Sequence, residues 1–259
     1  MNPYFEVRDL SVRFGGIAAV EDVGFALDKG QFLGLIGPNG AGKTTVLNCI
    51  SRVVKSSASL MQLDGQDLRR RRPHQVAHIG VSRTFQAVEH FKHFTVLEYV
   101  SLGRLRHYGH SVVGYGLALP RVVRRERTEV AKAESFLEKY GLGDVRDYRL
   151  VELPYGFQKL ADIVRAIASE PMLLLLDEPA AGSSETERAL LRSMVAELRT
   201  EGCTVILVDH DVAFVSGSSD RILAMDTGRK LTEGRPDEVL RNSDVIASYF
   251  GVNQSSGSE

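Results

Sequence analysis

Short apolar segments separated by glycine-containing turns occupy the beginning of the chain. In the first segments the apolar residues fall at every second position, which is the period of a half-buried β-strand. Turns at Gly15–Gly16 and Lys29–Gly30 separate these segments. The run from Phe32 to Ile36 is apolar throughout, and it is followed by a glycine-rich stretch and by residues 43–50, whose composition favours a helix. The pattern therefore predicts strands that lead into a unit of strand, loop and helix.

The later part of the chain alternates between helical and extended patterns. Apolar residues at helical spacing predict an amphipathic helix, and they are Leu160, Ile163, Val164, Ile167 and Ala168. Pro171 ends this helix, and residues 172–176 have the pattern of a buried strand. A second helix over residues 190–198 ends near Gly202, and residues 203–208 predict another buried strand. This alternation is typical of a largely parallel sheet covered by helices, so the predicted fold class is α/β.

Residues 87–152 break this alternation. Their apolar positions indicate helices, with a glycine-rich break at residues 109–116 and a basic patch at residues 121–127. We therefore expect a single domain over residues 1–251, into which a helical subdomain of about residues 87–165 is inserted. The small and polar residues 252–259 are expected to form a flexible tail.

Composition is that of a protein that folds in water. Of the 259 residues, 43% are apolar and 25% charged, and no apolar run approaches the roughly 18 residues that span a bilayer. The formal net charge of −1 offers no basic field, so no nucleic-acid partner is expected. The first residues lack a secretory signal, which favours a cytoplasmic location. Cys49 and Cys203 are predicted to be reduced thiols, and Arg69–Arg72 a solvated stretch.

Residues 37–44, GPNGAGKT, match the G-x-x-x-x-G-K-[ST] pattern of a phosphate-binding P-loop. In such a loop the backbone N–H groups and the N-terminus of the following helix face phosphate oxygens. Lys43 would reach the β- and γ-phosphates, the Thr44 hydroxyl would ligate Mg²⁺, and Thr45 would reach another phosphate oxygen. The predicted nucleotide-binding residues are Gly37, Pro38, Asn39, Gly40, Ala41, Gly42, Lys43, Thr44 and Thr45.

Two carboxylates follow the predicted strand at residues 172–176. Asp177 comes directly after four leucines, where a P-loop enzyme holds the acidic partner of its Mg²⁺. Glu178 is then placed to orient or deprotonate the water that attacks the γ-phosphate, as a general base does. With the P-loop upstream, this pair predicts hydrolysis of a nucleoside triphosphate.

Five motifs together resemble the ATP-binding subunit of an ATP-binding cassette (ABC) transporter. Besides GPNGAGKT and LLLLDEP, they are RTFQ at 83–86, LPYGFQK at 153–159 and LVDHD at 207–211, in the order and approximate spacing of that family. The resemblance spans nearly the whole chain. It implies an ABC-type P-loop NTPase with a RecA-like core, an N-terminal antiparallel β subdomain and a helical signature subdomain. The implied cofactors are ATP and Mg²⁺.

The resemblance implies roles for three further residues. Gln86 matches the Q-loop glutamine, which contacts Mg²⁺ or the attacking water and links the site to the membrane partner. His210 matches the switch histidine that contacts the γ-phosphate. Phe14 stands where the family places an aromatic that stacks on adenine, and a plain strand-end aromatic is the alternative. The implied catalytic residues are Glu178, His210 and Gln86, and the implied Mg²⁺ ligands are Thr44, Gln86 and Asp177.

The segment LPYGFQK resembles the family's signature loop, which faces the γ-phosphate held by the other subunit of a head-to-tail dimer. The resemblance assigns this contact in trans to Tyr155, Gly156 and Gln158. Two positions depart from the family pattern. Pro154 replaces the usual serine, so the contact of that hydroxyl with phosphate is lost, and Ser184 stands where the D-loop usually has an aspartate. The intact motif residues still indicate an active ATPase.

Several segments resemble the ATPases of branched-chain amino acid importers in particular, among them VRFGGIAAVEDV at 12–23, TVLEYV at 95–100 and IASYFG at 246–251. This resemblance implies uptake of branched-chain amino acids or of a related small solute such as an amide or urea. A lipid or lipopolysaccharide exporter ATPase is one alternative. A soluble ABC ATPase that serves DNA repair, translation or cluster assembly is another.

The resemblance also implies partners and a location. The partners are a second ABC ATPase subunit, identical or paralogous, two transmembrane permease subunits and a solute-binding protein. The subunit would lie in the cytoplasm, peripheral on the inner face of the plasma membrane. A groove for a coupling helix of the membrane domain is expected just after Gln86, at Val88, Phe91, Phe94 and Leu97, with a plain core helix as the alternative.

Overall fold

The structure, a computed structural model, describes residues 3–85, 88–107 and 120–250, without the side chains of residues 120–122 and 250. The chain divides into two compact units. The first unit comprises residues 1–76 and 204–259, and the second unit comprises residues 77–203. The predicted tail at 252–259 and the glycine-rich break at 109–116 lie outside the described residues.

Strands and helices alternate along the described chain. The strands are β1 (Phe5–Phe14), β2 (Ile17–Leu27), β3 (Phe32–Ile36), β4 (Leu60–Leu63), β5 (Gln66–Asp67), β6 (Val81–Arg83), β7 (Leu173–Asp177), β8 (Thr204–Val208), β9 (Arg221–Asp226) and β10 (Arg229–Gly234). The helices are α1 (Lys43–Ile50), α2 (Pro73–Ile79), α3 (Val96–Gly103), α4 (Pro120–Lys139), α5 (Tyr155–Ala168), α6 (Glu185–Thr200), α7 (Val212–Ser218), α8 (Pro236–Leu240) and α9 (Ser243–Phe250). Short 3₁₀ turns lie at Val88–Phe91, Arg104–His107, Gly143–Val145 and Leu150–Glu152.

The first unit contains two sets of strands. An antiparallel sheet has the order β2-β1-β4-β5, and a second set has the order β10-β9-β3-β8. In the second set, β3 lies between β8 and β9 and is parallel to both. Every residue of β3 and of β8 is buried, which explains why these strands are apolar throughout rather than alternating. The carboxyl end of β3 leads directly into the glycine-rich loop.

The second unit pairs β6 with β7 in parallel and packs helices around them. Helix α3 packs against α5, and α4 packs against both. The apolar stripe that predicted α5 is buried, as expected. The helix begins at Tyr155, well before Leu160, because its first turn is formed by the more exposed signature segment, which carries no apolar period.

The structure confirms the predicted strands at the beginning of the chain, the helix after the glycine-rich loop and the later alternation. Most of the observed ends lie within one or two residues of the predicted ones. The boundaries of the helical insertion at 87–165 stay a prediction. Strands and helices at residues 60–67 and 221–250 were not predicted. Cys49 and Cys203 are free thiols, and burial raises the pKa of Cys203 to about 12. In the basic stretch, Arg70, Arg71 and Arg72 are exposed, as predicted.

Candidate nucleotide-binding and hydrolysis site

The phosphate loop of the first unit has a backbone that only glycine adopts without strain at its turning points. Gly40 and Gly42 have φ angles of +82° and +96°. A Cβ atom on Gly42 would lie 2.6 Å from the carbonyl oxygen of Ala19, so a larger residue would collide with β2 as well as being strained. The loop therefore needs its glycines, and a backbone curled in this way can turn N–H groups toward an anion.

Lys43 and the two threonines occupy the first turn of α1. Lys43 is buried, and its Nζ atom donates hydrogen bonds to the carbonyl oxygens of Gly37 at 2.7 Å and Pro38 at 2.9 Å. The ammonium group thus lies at the loop rather than in solvent. Thr44 and Thr45 are half-buried at the N-terminal end of the helix, where the helix dipole favours an anion.

Tyr249 of α9 also contacts the phosphate loop, and the sequence analysis assigned it no role. Its hydroxyl accepts a hydrogen bond from the backbone N–H of Gly37 at 2.7 Å. Burial raises the pKa of Tyr249, although the hydrogen bond from Gly37 acts in the opposite direction. The hydroxyl is therefore protonated at neutral pH. The motif IASYFG that contains Tyr249 was the available signal.

Phe14 and His210 are the other predicted site residues of the first unit. Phe14 ends β1 and is 50% exposed, and it pairs across the hairpin with Ile17, which is 75% exposed. An aromatic face is therefore accessible beside an apolar neighbour. His210 follows β8 with an exposed side chain, and its Nδ1 atom lies 3.4 Å from a carboxylate oxygen of the fully buried Asp209. This carboxylate can hold one ring nitrogen while the rest of the imidazole faces outward.

Asp177 of the second unit ends β7 with a side chain that is only 1% exposed. One of its carboxylate oxygens accepts a hydrogen bond from Nη2 of Arg83 at 2.8 Å. Its backbone N–H donates to the hydroxyl of Thr84 at 3.1 Å. The position of the carboxylate is thus fixed by residues of β6 and of the segment that follows it. Arg83 belongs to the RTFQ motif, but the motif by itself predicts no role for it.

Glu178 is exposed and has a φ angle of +50°, in the left-handed region. For a residue other than glycine this conformation costs about 1–3 kcal/mol and is kept only where the surroundings impose it. Lys159 of the signature segment contributes to this, because its Nζ donates to the carbonyl oxygens of Glu178 at 2.7 Å and Ala181 at 2.8 Å. Lys159 is the last residue of the LPYGFQK motif, which by itself does not predict this contact.

The signature segment forms the start of α5. Pro154 is the N-cap residue and supplies no side-chain cap, while Tyr155 is 56% exposed. Gly156 is buried against the carboxylate of Glu187, which leaves no space for a Cβ atom. Gln158 is half-buried, and its amide donates to the carbonyl oxygen of Leu153 at 2.9 Å, so it braces the segment from within.

Ser184, the replacement in the D-loop, is the N-cap of α6. Its hydroxyl accepts from the backbone N–H of Glu187, and the carboxylate of Glu187 accepts from the N–H of Ser184 at 2.7 Å. Ser184 and Glu187 therefore form a capping box. The structure gives Ser184 this local role.

Gln86 lies outside the described residues. The residues before it are held by Asp162, which is buried within α5. Its carboxylate accepts from the backbone N–H of Phe85 at 2.5 Å, from the hydroxyl of Tyr99 at 2.7 Å and from Nε of Arg165 at 2.8 Å. Burial and the charge of Asp162 raise the pKa of Tyr99. On a helical wheel Asp162 falls opposite the apolar stripe of α5, where a charged residue is ordinary, so no pattern in the sequence marked this cluster.

The donor atoms at the predicted positions suit Mg²⁺ and phosphate. Thr44 and Asp177 provide oxygen donors, the ligand type that Mg²⁺ prefers. Mg²⁺ bound with a nucleotide usually takes one or two protein carboxylates together with phosphate oxygens, and it keeps several waters. Among the described residues no group of three or more His, Cys, Asp and Glu side chains could hold a metal.

Comparison with known proteins identifies the family. The family model for ABC transporters matches residues 20–181. BraF of Pseudomonas aeruginosa, a high-affinity branched-chain amino acid transport ATP-binding protein, is 37% identical over 96% of this chain and 98% of BraF. LivG of Escherichia coli, which carries the same description, is 36% identical over the same shares. The probable LivG of Archaeoglobus fulgidus is 31% identical over 96% of each chain.

Solved structures lead to the same family. A nucleotide-free ATP-binding cassette from an ABC transporter has a TM-score of 0.84 at 28% identity, over 96% of this chain and 99% of that chain. The ADP conformation of an ATP-binding cassette of an ABC transporter has a TM-score of 0.83 at 29% identity, over 97% and 100%.

This chain therefore belongs to the ABC transporter family. Its fold is the α/β fold of a P-loop ABC ATPase, as predicted, and it is an ATPase that binds ATP. In the part of the chain that the structure describes, no helix is both long and apolar enough to cross a membrane.

Proposed function

We propose that this chain is the ATP-hydrolysing subunit of an importer for branched-chain amino acids or for a related small solute such as an amide or urea. The observation that carries the proposal is the similarity to BraF, which extends over 98% of that protein at 37% identity. The relatives reported above are ATP-binding proteins of branched-chain amino acid transport, so they give no support to the lipid exporter or the soluble ABC ATPase. The intact P-loop and the Asp177–Glu178 pair supply the chemistry that the role requires.

In this proposal the first unit binds the nucleotide. Phe14 stacks on adenine, the backbone N–H groups of the loop hold phosphate oxygens, and Lys43 exchanges its two carbonyl partners for the β- and γ-phosphates. Thr44 and Asp177 ligate Mg²⁺, with Gln86 as a further ligand. When bound, Mg²⁺ neutralises part of the negative charge on the β- and γ-phosphates.

Hydrolysis then depends on three side chains. Glu178 accepts a proton from the attacking water. Its side chain is exposed and can reach a water molecule, whereas the side chain of Asp177 is buried. His210 contacts the γ-phosphate through its exposed imidazole, and Gln86 orients the water. The left-handed backbone at Glu178, tied by Lys159, supports this assignment because such strain concentrates at functional positions.

A second cassette, identical or paralogous, completes the site in a head-to-tail dimer. Pro154 and Tyr155 are the exposed residues of the signature segment, and the N-terminus of α5 behind them favours an anion. Gly156 and Gln158 are packed inside that segment, so we expect them to shape the phosphate contact from within. ATP that contacts both subunits stabilises the closed dimer, and loss of the γ-phosphate opens it.

Two permease subunits bind the cassettes at the inner face of the plasma membrane, and a solute-binding protein delivers the cargo. The aromatic residues that follow Gln86 support a docking groove. Phe91 packs between Phe85 and Phe94. Its ring centroid lies 6.2 Å from that of Phe85 and 5.7 Å from that of Phe94, and Phe94 is 38% exposed. Leu97 is half-buried, whereas Val88 is buried and belongs to the core beneath the groove.

Extraction of the tagged protein from its host with a mild detergent, followed by mass spectrometry, tests the transport role. Two multi-spanning permeases and a second cassette are expected. Ribosomal, DNA-repair or cluster-assembly partners without a membrane protein would overturn that role.

Uptake of labelled leucine tests the cargo in cells that carry either the wild type or a Lys43→Ala variant. The variant should keep its partners but should not support uptake. Equal uptake in both would overturn the amino acid cargo alone.

A further inference from the structure

Arg83 and Asp177 form an ion pair at the position proposed to bind Mg²⁺. The Nη2 atom of Arg83 lies 2.8 Å from Oδ2 of Asp177, and the two side chains are 14% and 1% exposed. Removing a carboxylate from water is costly unless a cation or several donors compensate. In the protein without metal, the guanidinium of Arg83 provides that compensation.

The backbone of Arg83 is held in place by the buried cluster around Asp162. Asp162 binds Nε of Arg165, and Nη2 of Arg165 donates to the carbonyl oxygen of Arg83 at 2.7 Å. The Arg165 guanidinium also lies over the ring of Phe85, 3.9 Å from its centroid. The backbone at Arg83 and just after it is thus fixed from α5, so the side chain reaches Asp177 from a defined position.

A guanidinium beside a metal-binding carboxylate opposes the metal in two ways. It occupies an acceptor oxygen of the carboxylate, and its positive charge repels a divalent cation at short range. We propose that Arg83 is an internal counter-ion of Asp177 that compensates the buried carboxylate in the metal-free protein and lowers its affinity for Mg²⁺. Mg²⁺ then binds Asp177 effectively only together with nucleotide phosphates, whose negative charge offsets Arg83. This inference rests on the proposed role of Asp177 as a Mg²⁺ ligand.

Arg83 is a positioning residue in this account, and its effect is on metal affinity. Binding of Mn²⁺, measured by electron paramagnetic resonance with a non-hydrolysable ATP analogue that does not exceed the protein concentration, reports that affinity without any turnover. In an Arg83→Met variant the Mn²⁺ dissociation constant is expected to fall at least about fivefold, because a nearby positive charge is removed. Arg83→Lys keeps the charge, and its Mn²⁺ affinity should stay within about twofold of the wild type. If Arg83→Met does not fold, Arg83→Gln removes the charge while keeping hydrogen-bond donors.

The effect should pass through Asp177. In an Asp177→Asn background, Mn²⁺ should bind more weakly, and adding Arg83→Met should bring a smaller gain in affinity than it does beside the intact carboxylate, because only the repulsion by Arg83 is left to remove. Unchanged or weaker Mn²⁺ binding in folded Arg83→Met would overturn the counter-ion role. An equal gain in the presence and absence of the Asp177 carboxylate would overturn it as well.

Binding of a fluorescent ATP analogue in the presence of a chelator separates this inference from the proposed function. The metal-free affinity should fall only modestly in Arg83→Met, because the guanidinium binds the carboxylate and acts on the phosphates through its charge alone. A large loss in Arg83→Met would mean that Arg83 binds the nucleotide itself, and it would overturn the inference. Failure of the wild type to bind the analogue with or without Mg²⁺ would instead overturn the proposed site, and the inference with it.

Discussion

The hydroxyl of Tyr249, in the last described helix, accepts a hydrogen bond from the backbone N–H of Gly37, the first residue of the phosphate loop. These residues are far apart in sequence, and both belong to the first unit. Gly37 has a φ angle of +150°, and a Cβ atom there would collide with the carbonyl oxygen of Met225. The junction between β3 and the loop is therefore fixed by packing on one side and by Tyr249 on the other.

Replacing Tyr249 with phenylalanine should weaken ATP binding moderately. The variant keeps the ring and loses one neutral hydrogen bond, which is worth about 0.5–1.5 kcal/mol. Since the bond holds the loop in the shape that binds phosphate, we expect the dissociation constant for a fluorescent ATP analogue to rise about two- to fivefold. Tyr148→Phe, which changes an exposed tyrosine of the second unit, is the matched control and should have no effect. Equal affinities for all three proteins would refute a role for Tyr249 in loop geometry.

Replacing Glu178 with glutamine should separate binding from hydrolysis. The amide keeps the size of the side chain and removes the base, so turnover should fall about 10²- to 10⁴-fold. ATP affinity should be retained, because the P-loop is untouched. Light scattering should then detect an ATP-dependent dimer that persists. Turnover at the wild-type rate would remove Glu178 from the role of base.

The sequence predicted those parts of the site whose residues are neighbours in the chain. The P-loop and the Asp177–Glu178 pair are contiguous, and strongly apolar strands precede them, so local pattern alone located them. Arg83, Tyr99 and Asp162 were assigned no role, because their partners are brought together only by the packing of α3 and α5 beside β6. No spacing within the sequence distinguishes such residues from ordinary polar ones.

Edge elements were missed for a different reason. Strand β10 has an exposed or half-buried residue at every position, so it shows little apolar period. Its place in the fold depends on pairing with β9, in which four consecutive residues are buried. The sequence pattern of β10 alone therefore gives no period-two signal of the kind that predicted β1 and β2.

Replacing Pro154 with serine tests the departure in the signature segment. Serine at this N-cap can accept a hydrogen bond from the first turn of α5, which adds about 1 kcal/mol, while loss of proline costs about 0.4–1 kcal/mol through the unfolded state. The two effects nearly cancel, so the melting temperature should change little. The serine hydroxyl also becomes available to phosphate, so ATP hydrolysis should be at least as fast as in the wild type. Pro154→Ala lacks the hydroxyl and should gain nothing in rate. An inactive Pro154→Ser protein would show that proline itself shapes the loop.

The buried ion pair between Arg104 and Glu129 predicts how stability depends on pH. Arg104 is completely buried, and its Nη2 lies 2.6 Å from a carboxylate oxygen of Glu129. Burial alone would raise the pKa of Glu129, but hydrogen bonding and charge from Arg104, together with Lys132, outweigh it and hold the pKa below its ordinary value of 4.5. A carboxyl whose pKa is lower in the folded state stabilises the protein above its unfolded pKa, and this contribution is lost as the pH falls through the folded value.

Glu129→Gln should therefore lower the free energy of unfolding by about 3 kcal/mol at pH 7, because it leaves the Arg104 guanidinium without its main counter-charge. Glu170, 3.2 Å from Nη1 of Arg104, compensates in part, which favours the lower end of the range for such pairs. Urea unfolding of both proteins from pH 7 to pH 3 measures the difference. The difference in unfolding free energy between the wild type and Glu129→Gln should be constant above pH 4.5. Below that pH it should shrink, as the wild-type carboxyl takes up its proton.

Lys132→Gln, which removes a half-exposed neighbour of Glu129, should cost less than about 1 kcal/mol. A difference between wild type and Glu129→Gln that does not change with pH would show that the charge of Glu129 is not the source of its contribution.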